Sequence, residues 1–138
     1  MARILLTGAS GYIGSVILKE LLSQNFEVVA ITSKKNEELD EFKSQFPSVE
    51  ILTHSFFSEE IKKRPTWLKF DGVIFSSGIN EKHTAKNLTA VKSDRLMSVN
   101  YTFIVQIISE LVQEKAINKG ASIVFISSIS SIHFSVSN

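Results

Sequence analysis

Short apolar runs and helix-patterned stretches alternate along the chain, which predicts strands interleaved with helices. Residues 4–6 (Ile-Leu-Leu) open the chain as a first strand. Over residues 12–22, Ile13, Val16, Ile17 and Leu21 recur at helical spacing and predict one apolar face, with Gln24 and Asn25 ending the helix. Residues 26–31 form an apolar run broken by Glu27 alone, as suits a strand covered on both sides. The acidic stretch 37–46 predicts a helix that stops before Pro47, because a residue preceding proline is pushed out of the helical region. Residues 49–52 give a third strand. Ser58, followed by Glu59 and Glu60, reads as an N-cap with acids facing the positive end of a helix dipole, starting a short helix that ends near Pro65.

Residues 72–75 predict a fourth strand that runs into the small-residue turn Ser76-Ser77-Gly78. Ile104, Ile107, Ile108, Leu111 and Val112 then repeat at i, i+3, i+4, i+7 and i+8, the clearest amphipathic helix of the chain. Lys119-Gly120 is expected to close it, and residues 122–126 supply a fifth strand that enters a serine-rich tail. Strands alternating with helices argue a doubly wound α/β fold, a parallel sheet of about five strands with helices on both faces. No internal repeat or linker divides residues 1–138, so one domain with one core is expected. The last strand falls close to the end of the sequence, so its edge is expected to be short of neighbours and the fold C-terminally incomplete.

Composition narrows the function classes. Hydrophobic residues at 43% against 21% charged exclude intrinsic disorder. With 15 basic and 14 acidic residues dispersed along the chain, no global field recommends nucleic acid or an anionic membrane as partner. The absence of cysteine removes disulfides, thiolate catalysis and Cys-zinc sites and fits a reducing compartment, with the cytoplasm as default. No apolar run approaches the roughly 20 residues of a membrane helix, and the N-terminus lacks a signal-peptide pattern. His54, His83 and His133 stand apart with no metal-ligand spacing, so no metal is expected.

The chemistry begins at Thr7-Gly8-Ala9-Ser10-Gly11-Tyr12-Ile13-Gly14, between the first strand and the first helix. Gly8, Gly11 and Gly14 suit a tight strand-to-helix turn, close approach of backbone to a pyrophosphate, and close packing of helix against strand. An anion is held where unpaired N–H groups and the positive end of the helix dipole converge. After the second strand, an acid is expected if the adenosine ribose carries a free 2′-hydroxyl. This chain has Thr32-Ser33-Lys34-Lys35 there. A hydroxyl and a cation suit a 2′-phosphate, so NADP is favoured while NAD stays open; both lysines also fit a lead into an exposed helix.

Four segments in order, Thr7 to Gly14, Asp71-Gly72-Val73-Ile74-Phe75-Ser76-Ser77-Gly78, Asp94-Arg95-Leu96-Met97-Ser98-Val99-Asn100 and Ile123-Val124-Phe125-Ile126-Ser127-Ser128, resemble the short-chain dehydrogenase/reductase family over nearly the whole chain. The resemblance implies a Rossmann-type sheet of order 3-2-1-4-5 and hydride transfer between a nicotinamide dinucleotide and a carbonyl or secondary alcohol. It assigns Gly8, Ser10, Gly11, Tyr12, Ile13 and Gly14 to the cofactor turn. Ser76, Ser77 and Gly78 occupy the place of the family's Asn-Asn-Ala-Gly turn beside the cofactor. Asn100 matches the Asn that bends the long helix and holds a proton-relay water. Ser128 matches the Ser that hydrogen-bonds the substrate oxygen, although Ser127-Ser128 also reads as a simple polar turn.

The family's remaining catalytic pair is a Tyr followed four residues later by a Lys. Here Tyr12 and Tyr101 are followed at that spacing by Val16 and Val105, so neither supplies it. The family's Tyr comes a dozen or so residues after the Ser matched by Ser128, which places it beyond Asn138. This chain alone is therefore expected to be inactive. Relatives also pair through the long helix, which implies a homo-oligomer. Two other readings stand: a noncatalytic dinucleotide-binding module, and a nucleotide-sugar epimerase or dehydratase relative, for which the G-x-x-G-x-x-G spacing is commoner.

Overall fold

The computed structural model describes residues 1–34, 36–54, 68–81 and 86–128. Their order is β1 (Arg3–Thr7), α1 (Tyr12–Ser23), β2 (Glu27–Thr32), α2 (Glu37–Gln45), β3 (Val49–Thr53), β4 (Phe70–Phe75), α3 (Ala90–Met97), a π turn (Ser98–Thr102), α4 (Phe103–Gln113) and β5 (Ile117–Phe125). All pairings are parallel and the strand order is β3-β2-β1-β4-β5, so the expected doubly wound sheet is present. The helix expected over 58–65, Lys35, Trp67, His83, His133 and the tail after Ser128 lie outside the described residues.

Alternation along the central strands divides the core between the two faces of the sheet. Leu6, Val28 and Ala30 pack under α1 and α2 with Leu18, Leu22, Leu39 and Phe42. Leu5, Val29, Ile31, Val73 and Phe75 pack under α4 with Phe103, Ile107 and Leu111. Successive residues of a strand point to opposite faces, so a strand buried on both must be apolar throughout. At the outer edge, Phe125 stacks on Phe75 with ring centroids 5.2 Å apart. Ile123, Val124 and Ile126 are exposed there.

Several expectations are corrected. The inward face of α1 is Gly14, Leu18 and Leu22, with Ile17 and Leu21 beside it, whereas Ile13 and Val16 point to solvent. The cause is Gly14, where a Cβ would overlap the Gly8 carbonyl; that contact fixes the rotation of the helix. On α4, Phe103 takes a core position and Val112 is 61% exposed.

Lys119-Gly120 does not close α4. The helix stops at Gln113, and Lys115 takes a left-handed φ of 53°. The Lys115 N–H donates to the Val112 carbonyl at 3.1 Å and the Ala116 N–H to that of Leu111 at 2.8 Å, a Schellman closure. Asn25 closes α1 the same way, with bonds from Asn25 to Leu22 and from Phe26 to Leu21. β5 therefore begins at Ile117. It advances from Ile117 to Ser122 while β4 advances from Phe70 to Gly72, and Gly120, at φ 84°, sits in that bulge.

Candidate functional site

The chain leaves β1 for β2 on one side of the sheet and later returns to β4 on the other, which opens a crevice at the carboxyl ends of β1 and β4. Gly8 lies at its floor with φ 75°, and a Cβ there would come within 2.6 Å of the Ser77 backbone nitrogen. The N–H groups of Gly8 and Ala9 both donate to the Ile31 carbonyl, at 2.9 and 3.3 Å, and so tie the turn to β2. α1 begins after Gly11 without a side-chain cap and with no acid in its first turn. The N–H groups of Tyr12 and Ile13 consequently have no partner inside the helix and carry its positive end. Backbone approach and an unopposed helix terminus fit a pyrophosphate.

The opposite wall is the 76–79 turn. The Ser77 N–H donates to Thr7 Oγ1 at 3.3 Å, the two hydroxyls lie 2.9 Å apart, and the Ser76 N–H donates to the Thr7 carbonyl at 3.3 Å. Ser76 Oγ is buried with no hydrogen-bond partner among the described residues. Asn100 secures the end of the turn, its Oδ1 accepting from the Ile79 N–H at 2.8 Å and its Nδ2 donating to the Ile79 carbonyl at 2.9 Å. Asn100 sits in the π turn, where the Phe103 N–H reaches back to the Ser98 carbonyl. Such wide turns bulge a helix outward locally and occur frequently at functional sites.

Between these walls lies a cavity of about 440 Å³, within the range of small-molecule sites. Of the residues assigned to the cofactor from the sequence, Gly8, Ser10, Gly11, Ser33, Lys34, Ser76, Ser77 and Gly78 line it. Tyr12, Ile13 and Gly14 do not; Tyr12 is 90% exposed and Gly14 is turned against Gly8. Thr32 is buried beneath the lining, with its hydroxyl against Ser10 and the Lys34 carbonyl. Asn100 acts behind the wall, through Ile79.

Ile79, Arg95 and Val99 also line the cavity and were missed by sequence reasoning. Arg95 and Val99 are four residues apart and share a helix face, a spacing that could have paired them with Asn100. Arg95 Nε lies 3.1 Å from Glu81 Oε1. The lining thus carries two cations, Lys34 and Arg95, and no carboxylate among the described residues.

Ser128 is exposed beyond the end of β5 and does not line the cavity. Its strand remains beside β4, since the Ile126 N–H donates to the Phe75 carbonyl at 2.9 Å. His54 is half-buried and stacks on Phe103 with centroids 5.3 Å apart. Among the described residues, no group of three or more His, Asp or Glu could hold a metal ion, and no helix is long and apolar enough to cross a membrane.

A family model for short chain dehydrogenases matches residues 2–137. The uncharacterized protein YLL056C of Saccharomyces cerevisiae is 39% identical over 72 residues, which cover 52% of this chain and 24% of that protein. A short-chain dehydrogenase/reductase from Serratia marcescens superimposes with a TM-score of 0.82 at 16% identity, over 96% of this chain and 58% of its own. The short-chain dehydrogenase/reductase YIR035C of Saccharomyces cerevisiae gives 0.81 at 19%, over 97% and 56%. At such identities the structural likeness speaks for the fold. The chain spans little more than half of these structures and about a quarter of the yeast relative.

Proposed function

The chain belongs to the short-chain dehydrogenase family, and we propose on that premise that residues 1–138 form one dinucleotide-binding domain holding NADP in preference to NAD. The observation that carries the reading is the cavity, in which the glycine turn, Lys34 and the 76–79 turn converge with Arg95 and no carboxylate among the described lining residues. Each cation favours phosphate over a bare hydroxyl, and a carboxylate that would accept from a 2′-hydroxyl is missing at the end of β2. Gly8, Ser10 and Gly11 border the pyrophosphate at the positive end of α1, and Ser76 to Gly78 border the nicotinamide end.

The dinucleotide, when held by the glycine turn and the 76–79 turn, would supply hydride exchange with a carbonyl or secondary-alcohol carbon. In this proposal Ser128 donates a hydrogen bond to the substrate oxygen as charge develops on it, and Asn100 holds the wall beside the reacting groups. A free phenol has a pKa of about 10 and needs a neighbouring cation to transfer a proton near neutrality. With Val16 and Val105 at the positions where such a Lys would stand, neither Tyr12 nor Tyr101 is so equipped. This chain is therefore expected to bind cofactor without turning over carbonyl substrates.

Calorimetric titration with NADPH and NADH tests the reading. NADPH should bind more tightly and Lys34→Ala should erase most of the difference. Tighter NADH binding by the unmodified chain would sink the preference, and binding of neither would sink the site. Self-association through the exposed face of α4, where Val105 and Val112 point outward, belongs to the same proposal; a monomer in light scattering counts against it.

A further inference from the structure

Thr32 closes β2 with its side chain fully buried, yet its hydroxyl has three polar neighbours. Ser10 Oγ is 2.6 Å away, the Lys34 carbonyl oxygen 2.7 Å and the Lys34 backbone nitrogen 3.2 Å. A hydroxyl owns one proton, and Thr32 presents it to both oxygens, the Lys34 carbonyl and Ser10 Oγ. The Lys34 N–H donates in return. Ser10 accepts in its contact with Thr32. Ser10 thus keeps its own proton for the cavity that it lines.

We propose that Thr32 is a positioning residue of the nucleotide site, acting through both of these neighbours. It fills a lone pair of Ser10 from within, which leaves the Ser10 proton to be donated to a ligand ribose oxygen. It also clamps the Lys34 backbone, which places that side chain to meet an anionic group on the same ribose. The inference rests on reading the cavity as a dinucleotide site.

The test compares Thr32→Val, which keeps the branched shape without the hydroxyl, with Thr32→Ser, which keeps the hydroxyl, by calorimetric titration of each chain with NADPH and NADH. With the hydrogen bonds to both neighbours gone, Thr32→Val should weaken NADPH about tenfold and NADH about threefold. Thr32→Ser should stay within about twofold of the unmodified chain for both, a rescue that a purely packing role does not give. An unchanged NADPH-to-NADH ratio in Thr32→Val, or equal damage in both variants, overturns the proposal. Should the Val variant not fold, Ser10→Ala leaves the Lys34 clamp in place and should weaken both nucleotides alike, by about threefold to fivefold; no change there overturns it. If the unmodified chain binds neither nucleotide, the dinucleotide reading falls and this one with it.

Discussion

Gly14→Ala should destabilise the fold, although alanine is the better helix former. At an open position in a helix interior the exchange would stabilise by about 1 kcal/mol. Here the new Cβ would overlap the Gly8 carbonyl and come within 3.1 Å of the Ala9 Cα, and both neighbours are backbone. Gly8 cannot retreat, because its N–H is bonded to Ile31 at 2.9 Å and it already abuts the Ser77 backbone. Overpacking costs about 1–3 kcal/mol, and a contact with no flexible side chain to yield belongs at the upper end. The net loss is about 2 kcal/mol, which lowers the melting temperature of a domain this size by about 8 °C. Gly120→Ala is the control. At φ 84° with nothing within 4 Å of the added Cβ, it carries only a backbone penalty of about 1 kcal/mol, about half the shift. Thermal unfolding followed by circular dichroism decides the matter. A Gly14→Ala chain that melts at or above the unmodified one refutes the close-approach argument, since helix propensity alone would then account for the result.

Asn100→Ala removes both hydrogen bonds to Ile79 and should cost about 1–2 kcal/mol, with faster amide hydrogen exchange over residues 76–81; unchanged exchange there would show that the turn holds itself. Asp71 accepts from the Arg3 N–H at 2.9 Å and from Asn118 Nδ2 at 2.7 Å, which together hold its carboxyl below the ordinary aspartate range. Because the folded state favours the ionised form, this stabilisation is present above the unfolded pKa and is lost as pH falls through the lower, folded one. Asp71→Asn should therefore flatten the acid limb of stability below about pH 4; superimposable acid limbs in the two chains would contradict the assignment.

The parallel sheet and the glycine turn were legible because residue type encodes them, whereas the strand order came from the family resemblance. A parallel sheet needs apolar runs, and Gly8 and Gly14 stand where a Cβ has no room. The inward face of α1 was not legible, because periodicity marks two adjacent stripes and a contact with Gly8 chooses between them. Nor was the end of α4. The left-handed position there is held by Lys115, where a sequence reader looks for glycine and finds one too late, at Gly120. In the site, Lys34 and the serines were visible at strand ends. Arg95 was hidden because only the tertiary arrangement carries its helix to the cavity. Thr32 was read as a ligand contact, whereas burial turns its hydroxyl toward the protein.

Arg95, Val99, Phe103, Ile107 and Leu111 are spaced by fours, and the first two face the cavity while the last three face the sheet. In an uninterrupted α-helix each step of four overshoots a turn by about 40°, so such a stripe would wind nearly halfway round the cylinder. The π turn over Ser98–Thr102, closing its bond across five residues, takes back much of that drift. It acts as a phase corrector that lets one seam serve the cavity wall and the core together. Along this stretch, length matters to the seam in a way that identity does not: a substitution leaves it in line, whereas the loss of a single residue would set its two halves facing different ways.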